Sequence, residues 1–123
     1  MTPRRLLITD DESDVRDLLQ QELTSAGFIV NTASNGADAV VEAVEGQYDL
    51  LIMDMHMVGM DGIEAIRVLH SIRPNLPILG LSGYASRGFN VEARKLNIKL
   101  LGKPIDIDDL VKEINLLLPP PAA

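Results

Sequence analysis

The residues of this chain that could do chemistry are Asp10, Asp11, Asp54, Ser82 and Lys103. Each follows a short apolar run: Leu6-Leu7-Ile8 leads to Asp10-Asp11, Leu50-Leu51-Ile52-Met53 to Asp54, Ile78-Leu79-Gly80-Leu81 to Ser82, and Leu100-Leu101-Gly102 to Lys103. Runs of this kind suit strands buried on both faces of a parallel sheet. Such strands end at the sheet's carboxyl edge, where open α/β sheets bind ligands. If the first and third strands are neighbours, three carboxylates meet there. Two of them about 5 Å apart at an effective dielectric near 20 repel by roughly 3 kcal/mol. A divalent cation that prefers oxygen ligands, Mg²⁺ above all, would offset that charge. Ser82, with Gly83 behind it to let the backbone approach, and Lys103 add a hydroxyl and an ammonium. The set suits an oxygen-rich dianion such as a phosphoryl group, with Asp54 as the residue to be modified. Residue by residue the plainer readings stand beside this one: Asp10 and Asp11 as capping or solvated acids, Ser82 as a turn serine, Lys103 as a surface lysine.

The elements that must position these groups follow from periodicity. Strands are expected at Arg5–Asp10, Phe28–Thr32, Tyr48–Asp54, Pro77–Leu81 and Ile98–Leu101. Between them lie helical patterns. Ser13 is expected to cap a first helix with Val15, Leu18, Leu19, Leu23 and Ala26 inward, ended by Gly27 as a left-handed residue. Asn35 should cap a second, with Ala37, Val40, Val41 and Val44 inward and Gly46 closing it. Asp61 with Glu64 three residues on resembles a capping box for a third, with Ile63, Ile66, Leu69 and Ile72 inward and Pro74 stopping it. From Ser82 to Asn97 only Val91–Leu96 reads as helix, because Gly83, Gly88 and Asn90 dilute the rest. Asp106 should cap the last helix, with Ile107, Leu110, Val111, Ile114, Leu117 and Leu118 inward. Five strands alternating with five helices predict an α/β fold: a doubly wound, flavodoxin-like parallel sheet in the order 2-1-3-4-5.

Composition bounds the function classes. The 123 residues make one domain, long enough for a core without disulfides, and there are no cysteines. A net charge of −7 argues against binding nucleic acid or an anionic membrane. Aromatics at 3% leave no stacking platform for single strands. No run approaches a membrane span and the start lacks a signal-peptide segment, so a cytoplasmic protein is expected.

At this point the chain resembles a response-regulator receiver domain of two-component signalling, similar to the chemotaxis regulators. The resemblance spans residues 4 to 118 and rests on Asp10-Asp11, Asp54, Met57-x-Gly59-Met60-Asp61-Gly62, Ser82 and Lys103-Pro104. It implies a receiver over residues 1–118 with a Pro-rich tail over 119–123. It implies that a sensor histidine kinase or a histidine phosphotransfer protein phosphorylates Asp54 in a Mg²⁺-dependent reaction, after which the surface offered to a downstream protein changes. Carried over, Asp10, Asp11, Asp54 and the His56 main-chain carbonyl hold the metal. Met55, Ser82, Gly83 and Lys103 bind the phosphoryl group. His56 and Tyr84 tune its loss, and the Lys103–Pro104 peptide is cis. The protein would catalyse only its own phosphorylation and slow dephosphorylation, and a homodimer is compatible with the family.

Two departures bear on output. Val58 stands where the family usually has proline. Leu100 stands where many relatives carry an aromatic ring that follows the hydroxyl, so that relay cannot run in its usual form. A segment Ser82–Asn97 that orders on phosphorylation is one expectation. Two other classes are weighed. A phosphate-independent interaction module fits poorly with a full acidic set. A hydrolase of the haloacid-dehalogenase kind needs a second acid where His56 stands.

Overall fold

A computed structural model describes residues 3–57, 59–83 and 89–118. Its strands are β1 (Arg5–Thr9), β2 (Ile29–Ala33), β3 (Leu50–Asp54), β4 (Ile78–Ser82) and β5 (Lys99–Gly102). Its helices are α1 (Ser13–Ser25), α2 (Gly36–Glu45), α3 (Gly62–Ile72), α4 (Phe89–Lys95) and α5 (Ile107–Leu117). The strands form one parallel sheet in the order β2-β1-β3-β4-β5, as the alternation of patterns requires.

Alternate residues of each strand face opposite layers. Leu7, Leu51 and Met53 pack with α2, α3 and Ala93 of α4; Leu6, Ile8, Leu50, Ile52, Leu79 and Leu81 pack with α1 and α5. β3 sits at the centre, and Leu50, Leu51, Ile52 and Met53 are all fully buried. Each such side chain stabilises by about 1.5–3 kcal/mol, so the strand that carries Asp54 is firmly anchored.

Several local expectations shift. Glu12, not Ser13, is the N-cap residue of α1; Ser13 is its first helical residue, and no side chain caps the end. Asn35, Asp61 and Asp106 do cap α2, α3 and α5, each accepting from an amide three residues on. Gly27 has φ +103, the left-handed conformation expected after α1. The inner face of α2 is Gly36, Ala39 and Ala43, while Ala37, Val41 and Val44 are exposed. The cause is close approach: a Cβ on Gly36 would lie 2.8 Å from the Met60 carbonyl oxygen, so small residues take the contact. Leu18, Ala26 and Ile72, expected inward, are exposed as well. α4 begins at Phe89, two residues before the periodic pattern.

Candidate functional site

The carboxyl ends of β1, β3 and β5 bring Asp10, Asp54 and Lys103 together. Asp10 is fully buried and Asp54 is 3% exposed. Lys103 Nζ lies 3.0 Å from Asp10 Oδ2 and 3.4 Å from Asp54 Oδ2, so one ammonium bridges both acids. Lys103 is placed by its own main chain, whose N–H donates to the Ser82 carbonyl at 2.7 Å. The Lys103–Pro104 peptide is cis.

Asp10 is held on every side. Its N–H donates to Ala33 O at 3.3 Å, and its Oδ1 accepts the Glu12 N–H at 2.9 Å. Its carbonyl accepts Arg16 Nη1 at 2.7 Å. Asp54 is held more lightly: Oδ1 accepts the His56 N–H at 3.1 Å, and Oδ2 has the longer contact to Lys103. Burial pushes the Asp54 carboxyl up to about 6; the His56 amide and Lys103 pull it down and the Asp10 charge pushes it up. Burial lowers the Lys103 ammonium, but its hydrogen bond to Asp10 and the charges of Asp54 and Asp10 more than offset this, so its pKa is raised.

Asp11 is exposed, and its carboxylate falls with those of Asp10 and Glu12 into a group whose oxygens lie within 4.8 Å of one another. That donor set is all hard oxygen and net negative, which fits Mg²⁺. Glu12 was not singled out by pattern, because it reads as the start of α1. Arg16 was also missed, although a charged residue three positions before the buried Leu19 interrupts the inward stripe of α1.

Other candidate residues fall differently. Met55 lies in the sheet: its N–H donates to Leu81 O at 2.9 Å and its side chain is fully buried. It continues the β3 ladder, and the first amide free of the sheet is that of His56, whose N–H meets Asp54. Ser82 is half-buried at the end of β4, paired in register with Gly102, and its hydroxyl bonds neither Asp54 nor Lys103 among the described residues. Gly83 is exposed, and a Cβ there would meet nothing within 4 Å. Gly62 is constrained beside the acceptor strand: a Cβ there would lie 2.7 Å from Met55 Cα and 2.8 Å from Asp54 O. Met55 and Met57 are buried and Met60 packs against them, so this cluster is core. Tyr84, Val58, residues 85–88 of the Ser82–Asn97 segment and the 119–123 tail lie outside the described residues.

A family profile for the response regulator receiver domain matches residues 6–115. The chain belongs to the response regulator receiver family. This receiver is 36% identical to the response regulator receiver protein CpdR of Brucella abortus, over 94% of its own length and 97% of CpdR. It is 33% identical to the transcriptional regulatory protein CusR of Escherichia coli over 93% of its own length, but spans 51% of CusR. Among solved structures, the chemotaxis protein CheY4 of Vibrio cholerae superposes with a TM-score of 0.88 at 28% identity, covering 95% of this chain and all of that one, 100%. The response regulator TrrA of Thermotoga maritima, in complex with Mg²⁺-BeF, gives 0.84 at 29% identity over 94% and 99% of the two chains. No described helix of the receiver is long and apolar enough to cross a membrane.

Proposed function

We propose that this receiver is a phosphorylation-controlled switch. A sensor histidine kinase or a histidine phosphotransfer protein supplies the phosphoryl group, Asp54 accepts it, and the surface presented to a downstream protein then changes. The observation that carries the reading is the single ammonium of Lys103 set between Asp10 and Asp54, at 3.0 and 3.4 Å, at one sheet edge.

The chemistry follows from what each group has left to give. Asp10 is held at both carboxylate oxygens and through its main chain, so it is a fixed charge whose remaining lone pairs can still face a cation. Asp54 keeps lone pairs, and with its carboxyl pushed up to about 6 it is ionised near neutrality yet more basic than an ordinary aspartate. It is the nucleophile: an oxygen of Asp54 bonds to phosphorus as the bond from phosphorus to the donor's imidazole nitrogen breaks, giving an acyl phosphate and returning the imidazole. Lys103 follows the phosphoryl oxygens as charge gathers on them, and the His56 amide donates toward the same oxygens. Asp10, Asp11 and Asp54, with Glu12 beside them, would hold Mg²⁺, which when bound supplies charge neutralisation at the phosphoryl oxygens.

Incubation with acetyl phosphate and Mg²⁺, read by intact mass, tests the reading. One added phosphoryl group per chain, lost in Asp54→Asn, is expected. An unmodified chain at saturating donor would overturn it.

A further inference from the structure

Arg16 is a charged residue on the inward stripe of α1, one turn before the fully packed Leu19. Side chains of a helix lean toward its N-terminus, which carries this one back over the β1–α1 turn. There Nη1 donates to the main-chain carbonyl of Asp10 at 2.7 Å. β1 ends at Thr9, so Asp10 lies beyond the strand ladder, and Asp10 is fully buried. Among the described residues, Arg16 is the donor seen to meet its carbonyl. Because the guanidinium docks on a carbonyl, it brings positive charge to the acid cluster without occupying a carboxylate oxygen. The bond is charge-assisted, and the planar fork has little freedom to lose.

We propose that Arg16 is a positioning residue for the acid cluster. It fixes the Asp10 main chain, and so the directions in which the Asp10 and Asp11 carboxylates leave it. It thereby sets the affinity for the divalent cation and, through that, the efficiency with which Asp54 is phosphorylated. This rests on the switch reading above and adds to it a residue that touches neither the phosphoryl group nor the cation.

The test uses the full chain with Arg16→Met, which keeps an unbranched apolar stem, and Arg16→Lys, which keeps the charge without the fork. Mg²⁺ binding is followed by calorimetry without any phosphodonor, and phosphorylation by acetyl phosphate is followed across Mg²⁺ concentrations. Arg16→Met is expected to raise the Mg²⁺ Kd about tenfold, in the range typical of groups that orient metal ligands. Its phosphorylation rate at saturating Mg²⁺ should return to within about twofold of the unmodified chain, on the reasoning that an orienting group acts through affinity. Arg16→Lys should raise the Kd by about threefold, because one donor on a flexible stem replaces a rigid fork. A folded Arg16→Met with an unchanged Kd overturns the proposal, as does an unchanged Kd in Arg16→Lys if Arg16→Met does not fold. A lowered melting temperature with an unchanged Kd is a purely structural role and overturns it too. If the unmodified chain binds no Mg²⁺ and takes no phosphoryl group, it is the switch reading that fails.

Discussion

Replacing Asp54 by asparagine should stabilise the metal-free protein, and only above the pH at which Asp54 ionises. Sequence alone suggests that Asp10→Asn and Asp54→Asn would both relieve repulsion. The structure separates them. Asp10 has Lys103 at 3.0 Å and the Glu12 amide at 2.9 Å, so its loss leaves a half-buried ammonium with the longer Asp54 contact alone. Asp54 is the acid that burial disfavours, its carboxyl raised from 3.8 to about 6. A folded-state pKa above the unfolded one contributes stability that is whole below pH 4 and lost as pH rises through 6. Each pKa unit is 1.36 kcal/mol, so ionising Asp54 costs the fold about 3 kcal/mol by pH 7.5. Urea midpoints in EDTA at pH 4, 5, 6 and 7.5 measure it. The two proteins should differ least at pH 4 and diverge as pH rises, with Asp54→Asn ahead by about 2–3 kcal/mol at pH 7.5. Curves that stay parallel from pH 4 to 7.5 would refute the reasoning, since the Asp54 charge would then cost nothing. Asp10→Asn should show no such gain.

Lys103→Met should leave the chain folded but cut acetyl-phosphate labelling of Asp54 by about 100-fold or more, the typical loss for a group that offsets transition-state charge; labelling within tenfold would place Lys103 outside the chemistry. Gly62→Ala should destabilise by about 1–3 kcal/mol in urea and slow labelling, because the new methyl must displace backbone at Met55 and Asp54 rather than a side-chain tip. Thr9 is fully buried with its hydroxyl unpartnered among the described residues, so the near-isosteric Thr9→Val should be neutral or raise stability by about 1 kcal/mol in the same assay.

Much of this molecule is legible in its sequence because parallel-strand patterns are unambiguous when they end in acid. Four apolar residues and then Asp54 point to a strand buried on both faces, and the strong apolarity of the first and third runs suits them to central, neighbouring places. Helix faces are less legible. α2 offers two apolar stripes, valines and alanines, and only the approach of Met60 to Gly36 shows that the small residues face in. At the site, residue type revealed the acids and Lys103, whose chemistry lies in their side chains. It did not show that the Met55 N–H is taken up by the β3–β4 ladder, because which main-chain N–H leaves the ladder is settled by register, and register is invisible in a list of residues. It passed over Arg16 for the same reason, since that side chain's partner is a carbonyl.

The five strands run in one direction, and α5 returns antiparallel to them. β1 therefore enters at the edge opposite Asp54, and α5 comes back to it, where Leu117 lines a cleft with Pro77 and Ile78 at the start of β4. Five residues of strand, about 16 Å, separate that edge from the chemistry. The start of β1 and the end of α5 thus share a rim that carries none of the reacting groups. A change of charge at Asp54 therefore reaches that distant rim only through the strands and helices that lie between, the way a lever carries motion to its far arm.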